Sequence, residues 1–251
     1  MAGIPEQQHN IEIYQNLEYW KNKKVLQKVY GNFYELIKQQ VNLGIDGKII
    51  ELGSGVGNLK TVLPTAICTD LFNNPWIDQV ENAYKLSFKN EELSNIILFD
   101  VFHHLQYPGN ALDEFFRVLK PGGRVIIFEP DISWLGHLVY GLMHHEPVKR
   151  FAKINWKADE KTDLLALDYY AAQGNAHRIF LNRRRYVSLL KNWNIVKRKR
   201  IAAISYILTG GYSKPQLLPD SLFGIVFKLD KLFSILPFAF STRLLIVLEK
   251  K

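Results

Sequence analysis

Two features of this sequence have residue types and spacing suited to chemistry. The first is a glycine loop, Glu51-Leu52-Gly53-Ser54-Gly55-Val56-Gly57-Asn58, which directly follows the apolar run Lys48–Leu52. Glycines beyond the carboxyl end of a strand admit positive φ and let a ligand approach the backbone. The spacing is G-x-G-x-G. Asn58 stands where the dinucleotide fingerprint has its last glycine, and the Gly-Lys-Ser/Thr of a phosphate loop is absent. Nineteen residues after Glu51, Asp70 ends a second short strand. A carboxylate there can accept hydrogen bonds from both ribose hydroxyls of a nucleoside. Read on their own, the glycines can be a plain turn and Asp70 a helix N-cap.

The second feature is histidine. His103-His104 follow a strand, and His144-His145-Glu146 follow an apolar segment. Either group could supply a general base, and either could be packed or capping residues instead. Adjacent histidines point to opposite faces of a strand and diverge by about 100° on a helix, so neither pair chelates by itself and no metal site is expected. Cys68 is the only cysteine, which leaves neither an internal disulfide nor a thiolate zinc set. Glu129 ends a central strand, facing either an acceptor or one of the arginines.

The elements that must position these groups can be read from periodicity. Apolar residues at helical spacing predict helix over 10–43, and residues 111–119 predict a second helix, stopped by Lys120-Pro121-Gly122-Gly123. Buried-type strands are predicted at 48–52, 66–69, 95–101 and 124–130. Beyond them come a helix over 183–193, strand-like residues 194–208, a helix over 221–236 and a closing strand over 243–249. The alternation predicts a Rossmann-like, doubly wound α/β fold: a mostly parallel sheet, helices on both faces and an antiparallel C-terminal strand.

Taken in order, the glycine loop, the acidic strand end, Asp100-Val101-Phe102-His103-His104-Leu105 and Arg117-Val118-Leu119-Lys120-Pro121-Gly122-Gly123 resemble the class I S-adenosylmethionine-dependent methyltransferases. The likeness is to the type 11 group in particular and covers roughly residues 46–130. Fainter similarity through 140–148, 206–219 and the closing strand resembles a bacterial subgroup linked to surface polysaccharide or lipid-linked sugar synthesis. The resemblance implies a helical cap (1–45) before one domain (46–251), divided into a cofactor half (46–130) and an acceptor-covering part (131–251). It implies that Glu51, Gly53, Ser54, Gly55 and Gly57 surround the methionine part of S-adenosyl-L-methionine. Asp70 would bind the ribose and Leu71 the adenine, while Phe99 and Asp100 would lie beside the sulfonium. Asn82 and Ala83 fall in the adenine-contacting stretch, where the family usually has Asp-Ala and then Leu-Pro-Phe. Here Asn82 replaces the acid and Ser87 the proline. An Asn carbonyl can still accept from an adenine amino group. Methyl transfer needs alignment more than protein nucleophiles, and a base only where the acceptor loses a proton. His103, His104, His145 and Glu146 are the candidates for that base.

The distribution of charge bears on the partner. The net charge is +8 over 251 residues. Residues 1–148 hold 12 Lys and Arg against 17 Asp and Glu, whereas residues 149–251 hold 20 against 7. The basic part, with the runs Arg183–Arg185 and Lys197–Arg200, predicts an anionic acceptor (a small molecule, a saccharide or a lipid-linked molecule) or peripheral contact with an anionic membrane. No RNA-binding signature is apparent, so nucleic acid is not the expected partner. An RNA methyltransferase and a non-catalytic binding protein that kept the fold are the alternative readings. The first twenty residues contain no basic-then-apolar segment, and no uncharged apolar run is long enough to span a bilayer. The expectation is a cytoplasmic, membrane-peripheral protein.

Overall fold

A computed structural model of the chain describes residues 6–142, 148, 152–181 and 186–251. Seven strands form one sheet: β1 (Lys48–Leu52), β2 (Ile67–Asp70), β3 (Gln79–Val80), β4 (Leu93–Phe99), β5 (Leu119–Pro130), β6 (Trp193–Ile201) and β7 (Arg243–Lys250). Their order is β3-β2-β1-β4-β5-β7-β6. β1 to β5 pair in parallel, and β7 runs antiparallel to both β5 and β6. This is the predicted fold class. The chain winds outward from β1 to β3, then returns to place β4 on the other side of β1. That reversal makes the carboxyl ends of β1 and β4 the place where an open α/β sheet receives its ligand.

The central strands are buried on both faces, which is why their sequences are continuous apolar runs rather than alternating ones. Ile49, Ile97, Ile126, Phe128 and Val247 pack on one side, and Ile50, Ile96, Val125, Ile127 and Ile246 on the other. Helix α2 (Lys24–Lys38) lays Val25, Leu26, Val29, Phe33 and Ile37 on the first side. Helix α3 (Pro108–Val118) buries Ala111, Leu112, Phe115 and Val118 on the second.

Several boundaries differ from expectation for physical reasons. The helix predicted over 10–43 is two helices, α1 (Glu6–Asn22) and α2, parted at Lys23, whose backbone is non-helical. The Lys23 ammonium is delivered instead to the carbonyls of Thr209, Gly211 and Lys214. The stretch 194–208 is strand only to Ile201 and then turns into helix α6 (Ile204–Leu208), after helices α4 (Trp134–Leu142) and α5 (Asn175–Phe180). Ser205 fixes that turn by donating both its N–H and its hydroxyl to Asp230. Helix α7 (Phe223–Phe233) and a short α8 (Pro237–Phe240) occupy the region predicted as helix 221–236 and its sequel. Of the helix predicted over 183–193, a single 3₁₀ turn, Val187–Leu190, is described. β6 is an edge strand, as two-faced charge requires. Lys197 and Lys199 are exposed, whereas Arg198 and Arg200 are half-buried. The candidates His144, His145 and Glu146, and the run Arg183–Arg185, lie outside the described residues. Among the described residues no helix is long and apolar enough to cross a membrane.

Candidate functional site

The loop after β1 is held by β2. Ser54 N–H donates to Thr69 O at 2.9 Å, and Thr69 N–H donates to Ser54 Oγ at 3.1 Å. The Ser54 hydroxyl is therefore engaged in shaping the loop. Gly53 has φ +67°, and a Cβ there would collide with Val101 Cγ2. Gly55 has φ +53°, and nothing lies within 4 Å of where its Cβ would be. Behind that open space, Gly55 N–H donates to Asp70 Oδ2 at 3.0 Å, and Leu71 N–H donates to Asp70 Oδ1 at 2.7 Å. Asp70 is buried and no helix begins there, so it does not act as an N-cap.

A cleft of about 240 Å³ opens in front of the loop. Glu51, Gly53, Ser54 and Gly55 line it from β1 and its loop, and Phe99 and Asp100 from the end of β4. Val56 and Asn58 of the same loop and three other elements complete it: Ile13 and Asn16 of α1, Tyr30 and Tyr34 of α2, and Tyr212 after α6. Glu51 is buried, and burial, reinforced by the charge of Asp70, pushes its carboxyl up to about 8. Among the described residues, no cation pairs with this carboxyl to ionise it. Asp100 has φ +56° and is also raised by burial, but Arg243 opposes that shift by pairing with it. Arg243 is fully buried, with its guanidinium 4.4 Å from the Tyr206 ring and Phe33, Phe99 and Phe128 around it. Its Nε has no hydrogen-bond partner among the described residues. Phe99 stacks on Tyr30 at 5.2 Å.

From α1, His9 Nε2 reaches to 3.4 Å from Asp70 Oδ1, and its ring meets Phe72 edge-on. The hydrogen bond to Asp70 raises the His9 pKa. Just past β4, buried His103 places Nδ1 2.7 Å from Glu129 Oε2, while Glu129 Oε1 accepts the Phe102 N–H at 2.7 Å. Glu129 thus serves a histidine rather than an arginine. His104 Nδ1 lies 3.0 Å from the Tyr170 carbonyl. A second histidine–carboxylate pair follows: His177 Nδ1 lies 2.5 Å from buried Asp131, which also accepts from Arg200 Nε at 2.6 Å and from the Ser241 hydroxyl.

Five expected cofactor residues do not line the cleft: Asp70, which lies behind the loop, and Gly57, Leu71, Asn82 and Ala83. Gly57 packs against the Trp76 carbonyl, which a Cβ would approach to 2.8 Å. Leu71 is exposed, and Ala83 packs against the core. Asn82 Oδ1 accepts from Tyr84 N–H and so closes its own turn. The neighbouring Glu81 is the buried acid of this stretch. It accepts from Ser87 N–H at 2.9 Å, from the Ser87 hydroxyl and from Gln79 Nε2. A proline in place of Ser87 could make neither of the two serine bonds. Sequence reading missed Ile13, Asn16, Tyr30, Tyr34, Tyr212 and Arg243. The signals were Tyr30 and Tyr34 four apart on an apolar helix face, and one arginine opening an otherwise apolar strand.

Open space at Gly55, a carboxylate behind its amide and an uncompensated buried acid suit a ligand with nucleoside hydroxyls and an ammonium group. S-adenosyl-L-methionine has both. Comparison with known proteins agrees. Residues 27–196 match the methyltransferase domain family. Among solved structures, an S-adenosylmethionine-dependent methyltransferase of Thermotoga maritima is 14% identical, with a TM-score of 0.54 over 95% of this chain and 98% of that one. Geranyl diphosphate C-methyltransferase of Streptomyces coelicolor, in complex with S-adenosyl-L-homocysteine, is 10% identical, with a TM-score of 0.51 over 88% and 76%. The [4+2]-cyclase SpnF is 13% identical, with a TM-score of 0.50 over 100% and 99%. A curated protein, polyketide synthase 10 of Dictyostelium discoideum, is 31% identical over 65 residues, which are 26% of this chain and 3% of that protein's length. On the family match, which spans more than half of its residues, the chain belongs to the class I S-adenosylmethionine-dependent methyltransferases.

Proposed function

We propose that this chain transfers a methyl group from S-adenosyl-L-methionine to an anionic acceptor: a small molecule, a saccharide or a lipid-linked sugar. The observation that carries the reading is the cleft at the switch point, where Glu51, the open face of Gly55 and Asp100 meet, with Asp70 behind them. The cofactor supplies the electrophilic methyl group. Glu51 holds its amino group, Asp70 its ribose hydroxyls, and Phe99 and Asp100 border the reacting end. Where the acceptor is a hydroxyl, His103, held by Glu129 just past β4, is the candidate base, although neither it nor His104 lines the cleft. The basic excess of the second half supports an acceptor with negative charge. The same fold serves a protein named as a [4+2]-cyclase, so the reaction rests on the site and not on the fold.

The test is labelled-methyl transfer into extracts of cell-surface glycans and lipid intermediates, with the product identified by mass spectrometry. Transfer is expected from the wild type and is expected to be lost in Asp70→Ala and Gly55→Val. Calorimetry showing no cofactor binding at millimolar concentration would favour a non-catalytic binding protein.

A further inference from the structure

Helix α7 is apolar on two sides. Phe223 and Val226 face inward and are buried. Leu222, Ile225, Leu229 and Leu232, at steps of three, four and three, form an outward stripe, and all four are exposed. A soluble surface helix normally turns charge outward at such positions. The stripe runs on through exposed Ile235 and Leu236 in the turn that leads to α8. From there Phe238 of α8 meets Trp134 of α4 edge-on at 5.7 Å, and Leu138, one turn along α4, extends the face. Trp134 is 75% exposed and Ile235 71%. Together these residues form an apolar surface shared by three helices, where isolated exposed apolar residues would need no explanation.

Among the described residues, the charges flanking the middle of the stripe are lysines. Lys228 and Lys231 are exposed beside the stripe. Asp230, between them, is turned inward and bonded to Ser205. Asp220 is exposed only at the far end, where it accepts from Gln216. The face also has a definite place in the fold. α4 leaves from Pro130 at the end of β5, and α8 enters Arg243 at the start of β7, and these two residues are paired in the sheet. The apolar face therefore borders the edge of the sheet onto which the cleft opens.

We propose that this face seats the protein on an anionic lipid bilayer, with Trp134, Ile235 and Phe238 entering the headgroup layer and Lys228 and Lys231 meeting lipid phosphates. Apolar insertion with flanking lysines is how a monotopic surface binds. A self-associating interface would bring the unpaired lysines of two copies together. The surface stands on its own observations. That the acceptor is drawn from the same bilayer rests on the methyl-transfer reading above.

The test is flotation of the purified protein with vesicles of phosphatidylcholine, alone or mixed with phosphatidylglycerol. The protein is expected to float with the mixed vesicles and to be released by salt. Lys228→Glu and Lys231→Glu should each weaken binding about fivefold or more, and Trp134→Ser with Ile235→Ser should abolish it. All these positions are exposed, and calorimetric cofactor binding should be unchanged in every variant, which separates loss of docking from loss of fold and from failure of the methyl-transfer reading. Equal flotation of wild type and the Trp134/Ile235 variant, or no flotation of the wild type, overturns the proposal. So does a dimer seen by sedimentation that the same substitutions dissolve, because the face would then belong to a second copy.

Discussion

Glu51 sits in the cleft with no cation paired to it among the described residues, and burial lifts its carboxyl to about 8. An ammonium group arriving next to it would restore the ionised form. Cofactor binding at neutral pH should therefore release close to one proton, and affinity should rise with pH until it levels near 8. Calorimetry in buffers of different ionisation enthalpy measures that proton directly. Glu51→Gln should remove both the proton release and the pH dependence, and weaken binding by about ten- to a hundredfold, the range for a hydrogen bond to a charged group. The same group acts on the cofactor-free fold with the opposite sign. Its pKa is higher folded than unfolded, so the stability it allows is present below about 4.5 and is lost as pH rises toward about 8. Urea titrations of wild type and Glu51→Gln should diverge over that window.

At the scale of elements, α1 closes the cleft and is tied to its floor by His9 and Asp70. The pairing raises the His9 pKa, so the tie is fully present below about 6.5, while Asp70 is ionised, and is lost as pH climbs through the raised value. Hydrogen exchange in residues 10–20, corrected for intrinsic rate, should speed up across that range in the wild type and be fast throughout in His9→Ala. How legible each element was in the sequence follows from where its causes lie. β1, β4 and β7 declare themselves by the apolar stretches Ile49-Ile50, Ile96–Phe99 and Leu244–Leu248, because burial on both faces is written locally. So is the glycine loop with Glu51, whose conformational demands fall on its own residues. The break at Lys23 could not be read, because its cause is a set of carbonyls near residue 210. The end of β6 depends on Asp230 in the same way. β3 is two residues long and carries no periodicity. The aromatic wall of the site joins Tyr30, Tyr34 and Tyr212, with Arg243 buried behind it on Tyr206, from distant stretches of chain, and no local pattern encodes that meeting.

Over the whole molecule, the basic half is now placed in part. Arg200 is spent on Asp131 and Arg243 on Asp100, while Lys197 and Lys199 remain on the open edge of the sheet. If the acceptor is anionic, its KM should rise with salt across the range where the Debye length falls below about 10 Å, and kcat should hold. Steady-state rates at several salt concentrations check this, with cofactor saturating. The topology has a further consequence, for synthesis rather than for catalysis. β7 lies between β5 and β6 but follows both in the chain. As the polypeptide leaves the ribosome, the Val125-Ile126-Ile127-Phe128 edge of β5 is made early and left without its neighbour, and β6 emerges with nothing to join. The sheet can close only when residues 243–250 thread the gap between them. Until then the nascent chain carries a bare, sticky ladder of the kind that recruits other chains or a chaperone. Chains stopped at Ser241 should accumulate as aggregates or chaperone-bound species, whereas those extended through Lys251 should emerge soluble, a difference that ribosome release followed by centrifugation would resolve.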